Sequence, residues 1–257
     1  MKWTVNYSAR SHVGLLRKNN EDNLFANGVR LSPDLGNRPF SLDGVTDVPS
    51  VFAVCDGMGG EESGEVASLM AVETLHKLEG ELRRAPVGQL DQAVQQYTQR
   101  AHQAIQARMQ GERSGTTLAL AVFTASGAYC FNLGDSKIFF HQGKHFRQVT
   151  HDHTVDAERR RMGVQPQKGR RADRRLTRCI GIGEPKLAEA YPAISGNFRL
   201  LICSDGLSDM VAPHVISGIL ATASHTAAAD QLIQAALDNG GRDNVTVIVL
   251  DVKRRWF

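Results

Sequence analysis

VFAVCDGMGG, at residues 51–60, joins a fully apolar run to a carboxylate and a cluster of glycines. The run 51–55 has the apolar, partly β-branched composition of a buried strand, and it stops at Asp56. Three of the next four residues are glycine, which lets a backbone come closer to a ligand or a neighbouring segment than a side chain would allow. The stretch therefore predicts a buried strand that presents a carboxylate where other groups approach the backbone closely.

The rest of the chain alternates between clusters of short strands and pairs of helices. The short spacing between strands indicates hairpins and antiparallel sheets. The segment 28–49, which carries several prolines and glycines, is interpreted as a loop, and the polar segment 151–175 shows little periodicity. The pattern predicts an α+β fold in which sheets pack on each other with helix pairs outside, as a single domain over residues 1–257. Strands are predicted at 2–8, 23–27, 50–56, 116–123, 128–133, 136–142, 144–150, 198–204 and 244–252, and helices at 61–80, 87–112, 213–222 and 225–239.

Composition and charge are those of an ordinary globular protein, with 42% hydrophobic residues, 22% charged residues and a net charge of +3 over 257 residues. No stretch approaches the roughly 20 apolar residues that cross a bilayer, and the N-terminus lacks the apolar core of a signal peptide. We therefore expect a cytoplasmic protein without membrane contact. The four cysteines are dispersed without a C-x-x-C pair, and they are interpreted as small buried hydrophobes.

Carboxylates stand repeatedly where apolar strands meet turns. Any one of them fits an ordinary turn, because Asp and Gly satisfy local backbone groups there. Several together favour a shared site, because carboxylates that converge at one end of a sheet repel one another unless a cation lies between them. Such oxygen ligands suit Mg²⁺ and Mn²⁺, and a pair of these ions indicates phosphoryl or other hydrolytic chemistry. The acids are Asp56, Asp205, Asp135, Asp243 and the neighbouring Glu21 and Asp22.

Arg17 lies four residues before Glu21 and is a candidate phosphate anchor. Its planar guanidinium can contact two phosphate oxygens at once. The alternative is a solvated arginine in a basic run with Lys18.

Six motifs, in this order and in this strand context, resemble those of the metal-dependent protein phosphatases (PPM, type 2C) in their bacterial form. The resemblance runs from about residue 8 to residue 252. It implies a central β-sandwich of two antiparallel sheets flanked by pairs of helices, a four-layer α-β-β-α arrangement. The motifs are RKNNED (17–22), VFAVCDGMGG (51–60), SGTTLALAV (114–122), FNLGDSKIF (131–139), LLICSDGLSDMV (200–211) and GRDNVTVIVLDV (241–252).

The same resemblance implies two divalent cations, Mn²⁺ or Mg²⁺, and assigns their ligands. Asp56 would bridge both ions, and Asp205 and Asp243 would complete the first site. Glu21 and the backbone carbonyl of Gly57 would hold the second ion.

Three further residues receive roles from the resemblance. Asp22 would act on the ions through bound water, and Arg17 would bind the substrate phosphate. Asp135 resembles the acid that helps to hold a third, weaker ion.

The implied reaction is hydrolysis of phosphoserine and phosphothreonine in proteins by a hydroxide that bridges the two ions. The substrates would be phosphoproteins of a bacterial Ser/Thr kinase, and a monomer is expected. Met58 stands where many relatives have a histidine that could protonate the leaving oxygen. A metal-bound water could serve instead, and His151 and His153 are alternative donors from the flap side. The alternative is a regulatory module of the same fold that binds phosphoproteins with little or no catalysis.

The segment 151–175 corresponds to the mobile flap beside the site in this family, and here it is strongly basic. It is interpreted either as a solvated surface or as a cationic lip that draws acidic or multiply phosphorylated peptides. Nucleic acid is not expected as a partner, because no aromatic residues alternate with the basic ones. Asp209 could reach the metal ions, but it is interpreted rather as a cap for the helix at 213–222 or as a partner of the site.

Overall fold

The computed structural model describes residues 2–59, 63–110, 113–164 and 172–255. Gly60 and the middle of the predicted flap, 165–171, lie outside the described residues. The strands are β1 (Lys2–His12), β2 (Asp22–Ala26), β3 (Val29–Arg30), β4 (Phe40–Asp47), β5 (Ser50–Met58), β6 (Gly115–Thr116), β7 (Leu118–Thr124), β8 (Gly127–Leu133), β9 (Lys137–Gln142), β10 (His145–Gln148), β11 (Glu189–Ile194), β12 (Phe198–Cys203) and β13 (Val245–Arg255). The α-helices are α1 (Ser63–Arg84), α2 (Leu90–Met109), α3 (Val155–Arg161), α4 (Asp205–Ser208), α5 (Pro213–Thr222) and α6 (His225–Asp238).

The strands form two antiparallel sheets. The first has six strands in the order β10-β9-β12-β13-β1-β4. The second has the order β11-β8-β7-β5-β2-β3, with β6 paired to the end of β5. Chain neighbours pair in some places, but β5 lies between β2 and β7, and β13 lies between β1 and β12, so the centre of each sheet joins distant parts of the chain.

Three apolar cores divide the protein into four layers. One lies between the sheets, one between the second sheet and the pair α1–α2, and one between the first sheet and the pair α5–α6. This arrangement confirms the α+β prediction of a β-sandwich flanked by helix pairs. Representative members are Tyr7, Phe52, Phe123 and Leu250 between the sheets, Phe25, Leu75, Leu90 and Tyr97 under α1 and α2, and Ile216, Leu232 and Val249 under α5 and α6.

The position of β5 explains the continuous apolar run of the opening stretch. Successive side chains of a strand point to opposite faces. Phe52 and Val54 enter the core between the sheets, whereas Val51, Ala53 and Cys55 pack on the α1–α2 side. Both faces of β5 are therefore buried, and a polar residue on either face would be excluded from water.

The loop predicted over 28–49 is wrong in its second half. β4 pairs antiparallel with β1 at the edge of the first sheet, and its residues alternate between half-buried and exposed. Phe40 and Leu42 pack against the core between the sheets. Pro39 and Pro49 flank this strand and do not interrupt it.

Two further elements have weak local signals. β11 was not predicted, because Pro192 lies inside it; the strand is at the edge of the second sheet, where a missing backbone donor is tolerated. α3 lies in the segment that shows little periodicity, and it begins where the side chain of Thr154 accepts a hydrogen bond from the backbone of Ala157. No helix in the described parts of the chain is long and apolar enough to cross a membrane.

Candidate active site

The predicted acids meet at one end of the sandwich. Asp22 on β2 lies directly opposite Asp56 on β5. Asp205 follows β12 and Asp243 precedes β13, and these two strands are neighbours in the other sheet. Burial and then the charges of Asp22, Asp205, Asp135 and Asp243 raise the pKa of Asp56 well above its usual range. Five carboxyls from both sheets therefore share one electrostatic environment.

Asp22 is almost completely buried, with 3% of its surface exposed. The hydroxyl of Ser204 donates to its Oδ2 at 2.7 Å, while its Oδ1 has no hydrogen-bond partner among the described residues. Burial raises the pKa of Asp22 to about 7, against the hydrogen bond from Ser204, which lowers it. A buried acceptor without a donor is costly, so this oxygen fits a water molecule or a cation.

The glycines of the opening stretch allow a close contact between three segments. The backbone N–H of Gly57 donates to the carbonyl of Glu21 at 3.0 Å. A Cβ on Gly57 would lie 2.1 Å from the carbonyl oxygen of Gly64 at the start of α1. A Cβ on Gly64 would in turn lie 2.9 Å from the carboxyl carbon of Glu21. Only glycine at both places lets the Glu21 side chain lie beside the Gly57 backbone.

Two threonines hold Asp56 through its backbone. The N–H of Asp56 donates to Oγ1 of Thr117 at 2.9 Å, and the N–H of Thr117 donates back to the carbonyl of Asp56 at 2.9 Å. The hydroxyl of Thr116 donates to the same carbonyl at 2.9 Å. These threonines position the carboxylate and have no described contact that would make them catalytic.

Asn244 is a site residue that sequence reasoning missed. Its Oδ1 accepts from the N–H of Glu21 at 2.8 Å, and its Nδ2 donates to the carbonyls of Val13 at 2.8 Å and Asn19 at 2.9 Å. It thereby fastens the segment that carries Arg17 and Glu21 to the start of β13. The sequence signal that could have identified Asn244 is its position directly after the predicted acid Asp243. Ser204, which directly precedes Asp205, has a comparable position.

Two arginines contact the acids. Arg17 donates to Oδ2 of Asp243 at 2.7 Å, and its side chain is 51% exposed. Arg174 donates to Asp205 at 3.2 Å and to Asp209. The interpretation of Asp209 as a helix cap is wrong, because Ala212 occupies the cap position of α5 and Asp209 pairs with Arg174.

Part of the acidic charge is thus neutralised by guanidinium groups. Over the described ranges, no group of three or more His, Cys, Asp or Glu side chains has an arrangement that could hold a metal ion as it stands. The residue types nevertheless fit divalent cations: they supply carboxylate oxygens, a buried acceptor without a donor, and carboxyls whose pKa values are raised by burial and mutual charge.

Both candidate proton donors from the flap bind Glu189 on β11. His153 is fully buried, its Nδ1 accepts from the N–H of Gly134 at 3.1 Å, and its Nε2 lies 2.8 Å from Glu189. This pattern places the ring proton on Nε2. His151 lies 3.1 Å from the same carboxylate. Neither histidine has a described contact with the acidic centre.

Asp135 follows β8 and also belongs to the centre. Burial and then the charge of Asp205 raise its pKa to about 6. Its backbone carbonyl accepts from Nζ of Lys137 at 3.0 Å, and its carboxylate lies 4.0 Å from Arg174. The structure thus brings Asp135 into the same group of acids as Asp56 and Asp205.

A four-layer α-β-β-α sandwich with acids from both sheets at one end defines the class of fold to which known protein phosphatases belong. The catalytic domain of the Ser/Thr protein phosphatase PstP, solved in complex with two manganese ions, superposes with a TM-score of 0.78 at 29% identity, over 98% of this chain and 100% of that chain. A family model described as protein phosphatase 2C matches residues 42–239. The chain belongs to the protein phosphatase 2C family.

Curated relatives agree with this assignment. The chain is 31% identical to the Ser/Thr protein phosphatase PstP of Mycobacterium tuberculosis over 259 residues, which is 96% of this chain and 45% of the relative. It therefore spans less than half the length of that protein. It is 30% identical to the Ser/Thr phosphatase stp of Listeria welshimeri over 252 residues, 94% of each chain.

Proposed function

We propose that this chain is a metal-dependent Ser/Thr protein phosphatase that hydrolyses phosphoserine and phosphothreonine in protein substrates, acting as one catalytic domain. The observation that carries the proposal is the meeting of Asp56 with four other carboxyls from both sheets. Membership of the protein phosphatase 2C family and the two manganese ions of the PstP structure support it. The substrates we propose are phosphoproteins made by a Ser/Thr kinase.

The ligands that we propose for the ions are those that the resemblance to the family implies. Asp56 would serve both ions, Asp205 and Asp243 would complete one site, and Glu21 with the Gly57 carbonyl would form the other. Manganese or magnesium would supply the Lewis acidity that phosphoryl transfer to water requires. We propose Asp135 as the acid that attracts a weaker third ion.

Arg17 is the proposed phosphate anchor. Its half-exposed guanidinium lies at the rim of the centre, where it pairs with Asp243. A bound phosphoryl group would offer two anionic oxygens to the Arg17 guanidinium. Arg17 would then orient the substrate and stabilise the charge that develops on the phosphoryl oxygens.

Asp22 is proposed to act through water and not as a direct ligand. Its Oδ2 already accepts from Ser204, and its free Oδ1 is buried. A water held there would be oriented by a carboxylate that the fold keeps from turning. The leaving oxygen takes its proton from water in this proposal, since Met58 has no proton to give and both flap histidines bind Glu189.

Hydrolysis of a phosphothreonine peptide with Mn²⁺, with Mg²⁺ and with EDTA tests the proposal. We expect activity with a metal, none with EDTA, and a loss of at least about 100-fold in Asp205→Asn, because even residues that only support a metal ligand contribute 10- to 100-fold. Asp238→Asn, at the exposed end of α6, is the matched control and should keep full activity. Circular dichroism verifies that each variant is folded.

A pure, folded protein that binds the phosphopeptide but hydrolyses nothing with any metal would contradict the proposal. That outcome would support the phosphoprotein-binding module instead.

A further inference from the structure

Arg174 reaches the acidic centre from the flap side. Its side chain is 48% exposed, and its Nη2 lies 3.2 Å from Oδ2 of Asp205 and 4.0 Å from Oδ2 of Asp135. The same nitrogen donates to Oδ1 of Asp209 at 2.8 Å, and Nη1 contacts the other oxygen of that carboxylate. One guanidinium therefore contacts three carboxylates, and two of them belong to the proposed metal centre.

The backbone on both sides of Arg174 is fastened to the first turn of α3. The N–H of Val155 donates to the carbonyl of Arg175 at 3.0 Å, and the N–H of Asp156 donates to the carbonyl of Asp173 at 3.1 Å. The N–H of Asp173 donates to Oδ2 of Asp156 at 2.5 Å. These bonds tie both neighbours of Arg174 to the first turn of α3, so the side chain is directed at the acids by a fixed backbone.

Arg174 differs from the other cations at the centre. Lys137 is nearly buried and binds the backbone of Asp135 and the carboxylate of Asp152. Arg17 binds Asp243 at the opposite rim. Among the described residues, Arg174 is the cation that contacts Asp205.

A guanidinium and a divalent cation compete when they need the same carboxylate oxygens. Asp205 cannot give its lone pairs fully to an ion while Oδ2 accepts from Arg174 at 3.2 Å. The positively charged guanidinium and a divalent cation also repel each other when they lie a few ångströms apart. An ion that binds at Asp205 must therefore displace Arg174 or bind weakly.

We propose that Arg174 is an internal cation that competes with divalent metal ions for the acidic centre, with Asp209 as its anchor. The inference rests on the proposed metal-dependent function. Metal binding breaks the bond between Arg174 and Asp205 and leaves the bonds to Asp209. Arg174 thereby lowers the affinity of the centre for metal ions and raises the metal concentration that is needed to load it.

Release of Arg174 also changes the space beside the centre. Arg174 and Asp209 line a cavity of about 210 Å³, together with Lys137, Arg160 and Ser208. Movement of the Arg174 guanidinium on metal binding therefore changes the lining of this cavity. The shape of this cavity therefore depends on metal loading through one side chain.

The test is titration of the metal-free protein with Mn²⁺ alone by isothermal calorimetry, comparing the unmodified chain with Arg174→Gln. We expect Kd to fall by roughly two- to fivefold in the variant, the range that the loss of a partly exposed ion pair allows. Arg175→Gln is the matched control, because Arg175 is 80% exposed and pairs with Asp173. It should leave Kd unchanged.

The anchor is tested by a double-mutant cycle with Asp209→Asn. In the unmodified background this change both removes a negative charge and loosens Arg174, whereas with Arg174→Gln present only the charge effect remains. We expect Asp209→Asn to weaken Mn²⁺ binding less in the presence of Arg174 than in its absence. Equal effects in the two backgrounds would refute Asp209 as the anchor.

The other outcomes separate this inference from the proposed function. An unchanged or raised Kd in Arg174→Gln overturns the inference, and if KM for the phosphopeptide rises at the same time, Arg174 is a substrate contact. The proposed function survives both results. If the unmodified chain binds no Mn²⁺ at millimolar concentration, the proposed function and the inference both fail.

Discussion

At the scale of single residues, uncharged side chains hold the acidic centre in place. Asp56 is bonded through its backbone to Thr116 and Thr117, Asp22 accepts from Ser204, and the Glu21 segment is bonded to Asn244. Carboxylates with raised pKa values repel one another, so their positions depend on such neighbours. These residues determine where the charges lie without carrying charge themselves.

Asn244→Ala removes three hydrogen bonds at once. We expect the free energy of unfolding to fall by about 2–3 kcal/mol, because the N–H of Glu21 and the two carbonyls lose their described side-chain partner. Urea denaturation of the metal-free protein measures the change. Asn239→Ala, which removes one bond at the exposed end of α6, should cost about 0.5 kcal/mol or less. Equal losses in the two variants would show that Asn244 has no special structural role.

At the scale of elements, β11 and the flap are joined by one carboxylate. Burial by itself would raise the pKa of Glu189, but hydrogen bonds from His153, His151 and Arg161 lower it to about 2. The two histidines precede α3 and Arg161 ends it. Glu189 thus fastens both ends of α3 to the edge of the second sheet.

This anchor predicts a pH dependence of stability. Burial is the main cause that lowers the pKa of His153 from its usual 6.5, and it outweighs the hydrogen bond that His153 donates to Glu189, which raises the pKa. As pH falls below about 6.5, the unfolded chain takes up a proton that the folded chain does not, so stability decreases. His153→Gln should reduce this slope by up to about 1.4 kcal/mol per pH unit.

Urea denaturation between about pH 5 and 7 measures that slope. His145→Gln is the control, because His145 is exposed on β10 and should leave the slope unchanged. A slope that stays the same in His153→Gln would show that His153 takes up its proton equally in the folded and unfolded chain.

At the scale of the whole molecule, the sandwich is required for the centre, because its acids come from both sheets. Asp22 and Asp56 belong to the second sheet, whereas Asp205 and Asp243 flank strands of the first. Unfolding separates them, so an ion that needs both pairs binds only the folded chain. Metal should therefore stabilise the fold by mass action.

Thermal unfolding with and without Mn²⁺ tests this linkage. At a concentration 100 times Kd we expect about 2.7 kcal/mol of stabilisation, or a rise in Tm of roughly 5–10 °C for a chain of this size. EDTA should reverse the rise, and Asp205→Asn should show little of it. An equal rise in Asp205→Asn would mean that Mn²⁺ stabilises the protein elsewhere.

The sequence by itself was sufficient for the layers and for most of the acids. Both faces of β5 are buried, so its composition could only be apolar, and the helices α5 and α6 were predicted to within a residue because their apolar positions repeat at the helical period. β4 and β11 were missed, because edge strands bury little and tolerate flanking or internal proline. Local patterns report burial, and these strands carry little of that signal.

The tertiary structure alone decided which groups meet. Asp22 and Asp56 are 34 residues apart in the chain and directly paired in the sheet. The roles of Asn244, Glu189 and Arg174 depend on partners that no spacing rule connects, since hydrogen bonds and ion pairs act over a few ångströms of space. The sequence thus determined which chemistry is available, and the packing of two sheets determined which acids share a site and which arginine opposes them.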